Sequence, residues 1–243
     1  MPDTRAVSAF LDDRHAGLAD ELAGWVARHI APLAPPTDDD ASRRQARAIL
    51  ELLGAGGWCR YAVPEPATGS FDLRACCLIR ESLAAASPLA DSVFALQCLG
   101  SMPIALAGSE ELRRDWLPGV GDGSKMAAFA MTEPEAGSDV AGMRTRATRD
   151  GDGYLLDGHK TFITNAGIAD FYSLFAVTGE RPDGRSEISC FLLPAATEGL
   201  RFSRAQVLSA PHPLGELELD GCRIPESARL GAEGEGYRLG LAT

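Results

Sequence analysis

The stretch 129-FAMTEPEAGSDVAG-142 lies where the pattern of the sequence changes. Upstream of it, apolar residues recur at the spacing of helices that bury one face. From residue 126 onward, short alternating or β-branched segments are separated by turn signals such as 150-DGDG-153 and 181-RPDG-184. The first half of the chain is therefore predicted to be helical and the second half to form a sheet.

This change of pattern predicts an α+β fold, in which an N-terminal all-helical domain is followed by an antiparallel β-barrel or sandwich domain. We place the helical domain at residues 1–126 and the β domain at residues 127–232. Residues 233–243 are predicted to be the start of a truncated C-terminal helix.

The helical pattern covers residues 5–31, 43–56, 72–86, 90–107 and 109–118. Ser42 or Asp40 is expected to cap the second of these helices, and Asp72 or Ser70 the third. Ser109 begins a capping pattern in the last one. Strands are predicted over residues 126–132, 143–149, 153–157, 160–164, 171–178, 187–193, 199–203 and 216–220.

Composition narrows the class of function. The 243 residues are 45% hydrophobic, which allows a sizeable core, and 34 acidic against 23 basic residues give a net charge of −11. Such a balance argues against general nucleic-acid binding, which depends on a basic surface. The six cysteines form no Cys-x-x-Cys and are expected to be buried free thiols, which predicts a reducing, cytoplasmic location. We expect no signal peptide and no membrane-spanning run.

Several common site motifs are missing from the sequence. It contains no G-x-G-x-x-G after a strand, no G-x-S-x-G elbow, and no histidine spacing that predicts a metal site. The segment 153-GYLLDGHKT-161 only approaches a phosphate-binding loop, and its 157-DG-158 dipeptide is better explained as a hairpin turn.

Two segments carry the functional signal, 131-MTEPEAGSD-139 and 158-GHKTFITNAGIADF-171. Taken alone, each has a structural explanation, because Thr132 and Ser138 can be turn formers and Glu133 can cap a backbone amide. Likewise, the second segment can be a strand that ends in an asparagine turn.

In this order and at this separation, the two segments resemble the acyl-CoA dehydrogenase family. The likeness extends upstream through 99-LGSMPIALAGSEELRRDWLPGVGDGSKMAAFAMTEP-134 and downstream through 215-GELELDGCRIPESARLGAEGEGYRLGLA-242. It covers nearly the whole chain. In that family, a helical domain and a β domain are followed by a C-terminal four-helix domain, and a flavin lies between the last two.

The resemblance implies FAD as the cofactor and assigns roles to residues of both segments. Thr132 would hydrogen-bond the polar end of the flavin ring, and Thr164 would donate a hydrogen bond to its N5 atom. Phe162 would cover the face of the ring, at a position where many relatives have tryptophan. Ser138 would also lie on the substrate side. The full set of implied cofactor-binding residues is Phe129, Met131, Thr132, Gly137, Ser138, Phe162, Ile163 and Thr164.

The sequence also departs from the family pattern. Glu135 stands where relatives often have glycine, and it adds a negative charge beside an anionic ligand. The loop 208-LSAPHPLGE-216 is stiffened by two prolines. Nearby Arg201, Arg204 and His212 are candidate phosphate contacts, although an exposed loop and an exposed basic face explain them equally well.

The implied reaction is α,β-dehydrogenation of an acyl thioester, in which a glutamate removes the α-proton and flavin N5 receives the β-hydride. The glutamate base is expected beyond Thr243, so no catalytic residue is assigned within this sequence. The implied partners are an acyl-CoA or carrier-protein thioester, an electron acceptor such as an electron-transfer flavoprotein, and further subunits in a homo-oligomer or split-subunit complex. Two alternatives stay open: a non-catalytic homologue that binds a partner carrying the C-terminal helices, and a flavin monooxygenase on the same scaffold.

Overall fold

The computed structural model describes residues 4–65 and 68–243. Its helices are α1 (Asp13–His29), α2 (Asp39–Ala55), α3 (Leu73–Ala86), α4 (Pro88–Ala107), α5 (Glu110–Gly121) and α6 (Gly236–Leu241). Short 3-10 segments occupy Thr4–Phe10, Cys59–Ala62, Val140–Gly142 and Glu226–Ala228.

Side chains cap helices α2, α3, α4 and α5 where the sequence offers an acceptor. Asp72 accepts from the Ala75 amide at the start of α3, and Ser109 accepts from the Leu112 amide at the start of α5, so both predictions are confirmed. The prediction for α2 was wrong, because its cap is Asp38, whose Oδ1 accepts from the Ala41 amide at 2.7 Å. This earlier start places two further carboxylates in the first turn, where the helix dipole favours negative charge.

Helix α4 is the centre of the helical half and packs against α2, α3, α5 and the first strand. By length and composition alone this 20-residue helix could cross a membrane, because an 18-residue window of it has a mean hydropathy of 1.4. This property was not predicted from the sequence. Half of the window is buried inside the protein. Its Val93, Phe94 and Ile104 are core residues, and a core helix has the same composition as a membrane span.

The second half of the chain forms one eight-stranded sheet. Its strands are β1 (Ala127–Ala130), β2 (Arg146–Asp150), β3 (Gly153–Thr164), β4 (Phe171–Glu180), β5 (Ser186–Pro194), β6 (Leu200–Ala205), β7 (Leu214–Pro225) and β8 (Arg229–Leu230). The hydrogen-bonded order is β6-β7-β3-β2-β4-β5-β8, with β1 beside β4.

The sheet confirms the helical-then-β fold class but corrects two of its details. Because the strand order is an open path, the sheet is sandwich-like and not a closed barrel. It is mixed, not wholly antiparallel, since β4 pairs in parallel with both β1 and β2. Parallel neighbours need a long connection, and the chain between β1 and β4 supplies one by folding the β2–β3 hairpin within it.

The predicted hairpin at 157-DG-158 is wrong, because β3 runs through it as one long strand. The dipeptide instead marks a register shift against β7. A Cβ at Gly158 would lie 2.4 Å from Thr145 Oγ1, so the glycine lets β3 approach the chain just before β2. The turn signal at 150-DGDG-153 is confirmed by the tight β2–β3 hairpin.

The six cysteines are all free, but not all buried. Cys59, Cys76, Cys190 and Cys222 are buried as expected. Cys77 is exposed, and Cys98 is partly exposed although it packs against the helical core, with its sulfur 3.6 Å from that of Cys76. Burial raises the pKa of the Cys59 thiol to about 12, which leaves it protonated and unreactive.

Candidate functional site

The structure brings the two motif segments together. The backbone amide of Thr161 donates to the carbonyl of Thr132 at 3.0 Å, so the chain leaving β1 continues alongside β3. Lys160 adds two bonds, from Nζ to the Met131 carbonyl at 3.1 Å and to Glu133 Oε1 at 2.7 Å. Thr132 therefore lies beside the end of β3 that carries Thr164, and the two segments to which the resemblance assigns one flavin do meet.

The ion pair of Glu133 and Lys160 fixes this junction from within. The Lys160 side chain is fully buried and that of Glu133 is 4% exposed. Burial lowers the pKa of Lys160 to about 8, although Glu133 opposes the shift. Burial also raises the pKa of Glu133, but the Lys160 charge and the hydrogen bonds to the carboxylate outweigh it and leave that pKa below its ordinary value. Both groups are therefore charged at neutral pH.

Glu133 also closes the loop that follows β1. Its Oε2 accepts from the Arg144 amide at 2.6 Å and its Oε1 from the Thr145 amide at 2.9 Å. Backbone bonds in both directions join Glu133 to Ala136 and form a tight turn. The carboxylate therefore anchors both ends of the loop, and the residues between them are presented outward.

The exposed part of this loop carries unused donors. Gly137 and Ser138 are exposed, and a Cβ built on Gly137 meets nothing within 4 Å. Within residues 4–65 and 68–243, the amides of Gly137 and Ser138 have no hydrogen-bond partner. The hydroxyls of Ser138, Thr132 and Thr164 are likewise unpaired in the described part of the chain. These are groups that can bind a polar or anionic ligand.

Phe162 is the aromatic group of the site, and its conformation is unusual. It lies in a register shift between β3 and β7, with φ at +55°, and its side chain is 59% exposed. A large residue at positive φ is rare, because the Cβ crowds the backbone. The bulge turns an apolar ring outward next to Thr161 and Thr164.

The side chain of the neighbouring Ile163 points away from the candidate site. Its side chain is 1% exposed and belongs to the core of the sheet. Successive strand residues point to opposite faces, so Ile163 turns inward where Phe162 turns outward. Its side chain cannot line the site, and only its backbone remains available to a ligand.

Phe129 in β1 and Met131 just after it line an apolar part of the site. Both are partly buried, and the Phe129 ring lies 4.8 Å from that of Phe175. A Cβ at Gly240 would come within 2.2 Å of Met131 Cε, so Met131 packs directly on α6. These two side chains form an apolar wall next to the polar strand end.

Two of the three candidate phosphate contacts, the arginines, are already paired with carboxylates, whereas Nδ1 of His212 lies 3.5 Å from the Ala210 carbonyl oxygen. Arg201 lies 3.2 Å from Glu218, and Arg204 lies 2.5 Å from Glu216. The additional charge of Glu135 is similarly matched by Arg144, at 2.5 Å across an exposed pair. The departure at Glu135 therefore leaves little net charge beside Gly137.

The helical half holds the loop that follows Thr164, a feature the sequence analysis missed. Arg43 of α2 donates to the carbonyls of Ala166 and Leu214, and Arg47 donates to the carbonyl of Ile168. Arg47 also pairs with Asp170 at 2.8 Å. These arginines and their partners after Thr164 lie about 120 positions apart in the sequence. An arginine on a helix gives no local sign of such a distant contact, so the sequence does not predict this arginine clasp.

The site residues fit a flavin in chemical character. They combine an exposed aromatic face with hydroxyls at two strand ends and a small-residue loop, whose hydroxyls and amides have no partner among the residues that the structure describes. No group of three or more His, Cys, Asp or Glu in the described residues is arranged to hold a metal ion.

Comparison with known proteins assigns the family. The sequence profile of the acyl-CoA dehydrogenase N-terminal domain matches residues 12–124, and that of the acyl-CoA dehydrogenase middle domain matches residues 128–222. The chain belongs to the acyl-CoA dehydrogenase family. The two matched acyl-CoA dehydrogenase domains are the helical half and most of the sheet described above.

Individual relatives match either nearly the whole chain or a little over half of it. A probable acyl-CoA dehydrogenase, fadE25, of Mycobacterium leprae is 37% identical over 237 residues, which are 96% of this chain and 60% of that protein. An L-prolyl-[peptidyl-carrier protein] dehydrogenase of Pseudomonas fluorescens is 42% identical over 143 residues, or 57% of this chain and 37% of that protein. The chain thus spans about 60% of the length of relatives that match it throughout.

A solved structure gives the same result for the fold. The glutaryl-CoA dehydrogenase of Mycobacterium smegmatis, in complex with FADH2, superposes with a TM-score of 0.81 at 29% identity. The match covers 97% of this chain and 59% of the other.

Proposed function

We propose that this chain supplies the helical and β domains of an FAD-dependent acyl-thioester dehydrogenase. The observation that carries the proposal is the convergence of the loop after β1 with the end of β3, which places unpaired hydroxyls beside an exposed aromatic ring. The relative crystallised with FADH2 supports the cofactor assignment. The match of two family domains supports the reaction class.

In this proposal, the residues of the chain bind and orient the flavin. Thr132 hydrogen-bonds the polar edge of the ring, Thr164 donates toward its N5 atom, and Phe162 covers one face with an apolar surface. When bound, FAD supplies the electron-accepting ring for the β-hydride of the substrate. The loop amides of Gly137 and Ser138 hold a phosphate or the thioester arm, and Ser138 faces the substrate side.

No glutamate of the motif segments suits the role of the α-proton base. Glu133 accepts hydrogen bonds from two amides and from Lys160, and these keep it ionised but fully engaged. Glu135 is exposed and paired with Arg144. We therefore propose that the base comes from residues beyond Thr243 or from a partner chain.

The substrate class is an acyl thioester with either CoA or a carrier protein as the thiol. One relative is named for a carrier-protein substrate, and the structural match is to a CoA enzyme. We further propose an electron-transfer flavoprotein as the electron acceptor, assembly with further subunits, and a cytoplasmic location.

The direct test is purification of the full-length gene product, followed by measurement of FAD binding and of acyl-CoA-dependent dye reduction. We expect a yellow protein whose flavin is bleached anaerobically by an acyl thioester. Failure of the wild-type protein to bind FAD would exclude the proposal.

The alternative is a non-catalytic homologue that binds a partner carrying the C-terminal helices. Intact mass of the purified protein beside the length of its gene distinguishes the two proposals. A 243-residue gene product that binds FAD only with a partner would favour the alternative.

A further inference from the structure

The conformation of Phe162 requires a restraint. At a φ of +55°, this side chain costs free energy that a glycine would not cost. Its ring is 59% exposed, so burial of the ring in the core does not compensate. The compensation has to come from the backbone of the bulge.

Gln206 provides that restraint. It follows β6, and its Oε1 accepts from the Phe162 amide at 2.8 Å. The backbone of Gln206 is itself fixed, since its amide donates to the Leu214 carbonyl at 2.9 Å. The glutamine thus satisfies the amide that β7 leaves unpaired at the register shift.

The orientation of the Gln206 amide is determined by its other neighbours. Its Nε2 donates to Thr161 Oγ1 at 2.9 Å and to Glu216 Oε1 at 3.2 Å. A carboxylate only accepts, so the nitrogen has to face Glu216 and the oxygen has to face Phe162. A flipped amide would lose its bonds to Glu216 and to the Phe162 amide, because its oxygen would face the carboxylate and its nitrogen would face an N–H donor.

Glu216 is in turn held in place as a charged acceptor. Arg204 donates to it at 2.5 Å and His159 lies 3.1 Å away. The hydrogen bond from Arg204 holds the pKa of Glu216 below its ordinary value, with His159 contributing in the same direction. The carboxylate therefore stays ionised and keeps the Gln206 amide oriented.

We propose that Gln206 is a positioning residue for the flavin site, which acts by holding the Phe162 bulge so that the ring is preorganised for the cofactor. This inference rests on the proposed function. It assigns to the β6–β7 loop a part in cofactor binding that its sequence does not indicate.

The test is a double-mutant cycle on FAD affinity in the full-length protein, with the variants Gln206→Met, Phe162→Gly and the pair together. Gln206→Met keeps the length of the side chain and removes its hydrogen bonds. We expect it to raise the FAD dissociation constant about threefold to tenfold, as the loss of one or two hydrogen bonds implies. In the Phe162→Gly background it should have no further effect, because the ring it positions is gone.

Two further variants separate positioning from a general effect on folding. Gln45→Met removes a comparable exposed bond, to the Ala34 carbonyl in the helical half, and should leave FAD affinity unchanged. Gln206→Glu retains an acceptor for Phe162 but turns a second carboxylate toward Glu216, with Arg204 and His159 as the neighbouring charges. Its weaker binding should recover as the pH falls to about 5, where a carboxyl beside another becomes protonated.

Wild-type affinity in Gln206→Met, or an equal loss in the presence and absence of the Phe162 ring, would overturn the positioning role while leaving the proposed function intact. Absence of FAD binding by the wild-type protein would overturn both. The melting temperature of each apoprotein shows whether a loss of binding reflects a loss of fold.

Discussion

A charged cluster lies near each end of strand β3, and the two clusters differ in burial. The near end is where the strand begins, at Gly153, and the far end is where it finishes, at Thr164. At the far end, Lys160 and Glu133 are enclosed, with side-chain exposures of 0% and 4%. At the near end, Arg149 bridges Glu226 and Glu233 on the surface, with exposures of 49%, 48% and 31%. The comparison shows that the cost in stability of breaking an ion pair depends on how deeply the pair is buried. A buried charge without its partner is expensive, whereas a surface charge is solvated by water.

The largest effect on stability is expected when the buried pair of Lys160 and Glu133 is broken. Lys160→Met leaves Glu133 buried with an unmatched charge, and we expect a loss of about 3–5 kcal/mol in the free energy of unfolding. Urea denaturation measures it. The double variant Lys160→Met/Glu133→Gln should recover part of the loss, because it removes the stranded charge. Equal stability of Lys160→Met and wild type would show that the junction is not held by this pair.

The second prediction asks whether function is confined to the Lys160 end of the strand. Thr164→Ala should slow flavin reduction in the full-length protein by at least about tenfold, as the loss of a hydrogen bond to a developing charge implies. Tyr154→Phe at the other end removes a hydroxyl that donates to Glu233 at 2.7 Å and should leave reduction unchanged. Stopped-flow absorbance at the flavin band compares them, and similar rates for both variants would remove Thr164 from its proposed role.

The third prediction concerns acid. The pKa of Glu133 is lower in the folded protein than in the unfolded chain, so the unfolded state binds more protons as the pH falls. The stability contributed by Glu133 is complete above its ordinary pKa, near 4.5, and is lost progressively below it. Glu133→Gln should therefore show a shallower fall in melting temperature between about pH 5 and 3. If the melting temperature of Glu133→Gln fell as steeply with decreasing pH as that of wild type, Glu133 would not be a source of the acid sensitivity.

The smallest effect is expected at the exposed cluster. Arg149→Ala should shift the melting temperature by no more than about 3 °C, and added salt should shrink the difference further. The matched measurement on Lys160→Met should be nearly insensitive to salt, because burial protects that pair from screening. A large, salt-resistant loss in Arg149→Ala would erase the contrast between the two ends.

Much of this architecture follows from local sequence patterns. The helix and strand periodicities, the caps Asp72 and Ser109, and the tight turn after Asp150 are each determined by a few adjacent residues. The meeting of the two motif segments was also predictable, because both carry residues that resemble one family. The Asp157-Gly158 dipeptide misled, since the same residues favour a hairpin turn and a strand irregularity.

The rest depends on contacts that a local pattern does not encode. The role of Gln206 follows from the register of β3 against β7, which leaves the Phe162 amide without a strand partner. Lys160 lies in the second motif segment, but no local pattern there indicates its burial against Glu133, which arises when the two segments meet. The inward orientation of the Ile163 side chain also depends on the register of β3, and it limits the predicted role of this residue to its backbone.

The arginine clasp from α2 has a consequence for how the protein can be divided. Arg43 and Arg47 are the donors for main-chain oxygens of the segment after Thr164, so the sheet depends on the helices for part of its own backbone hydrogen bonding. If the β domain were expressed without residues 1–126, water would be the remaining donor for those oxygens. The turn that follows Thr164 would then lose the contacts that hold it in place. The two halves are thus interdependent in folding, and a fragment of either one is a poor proxy for the intact chain.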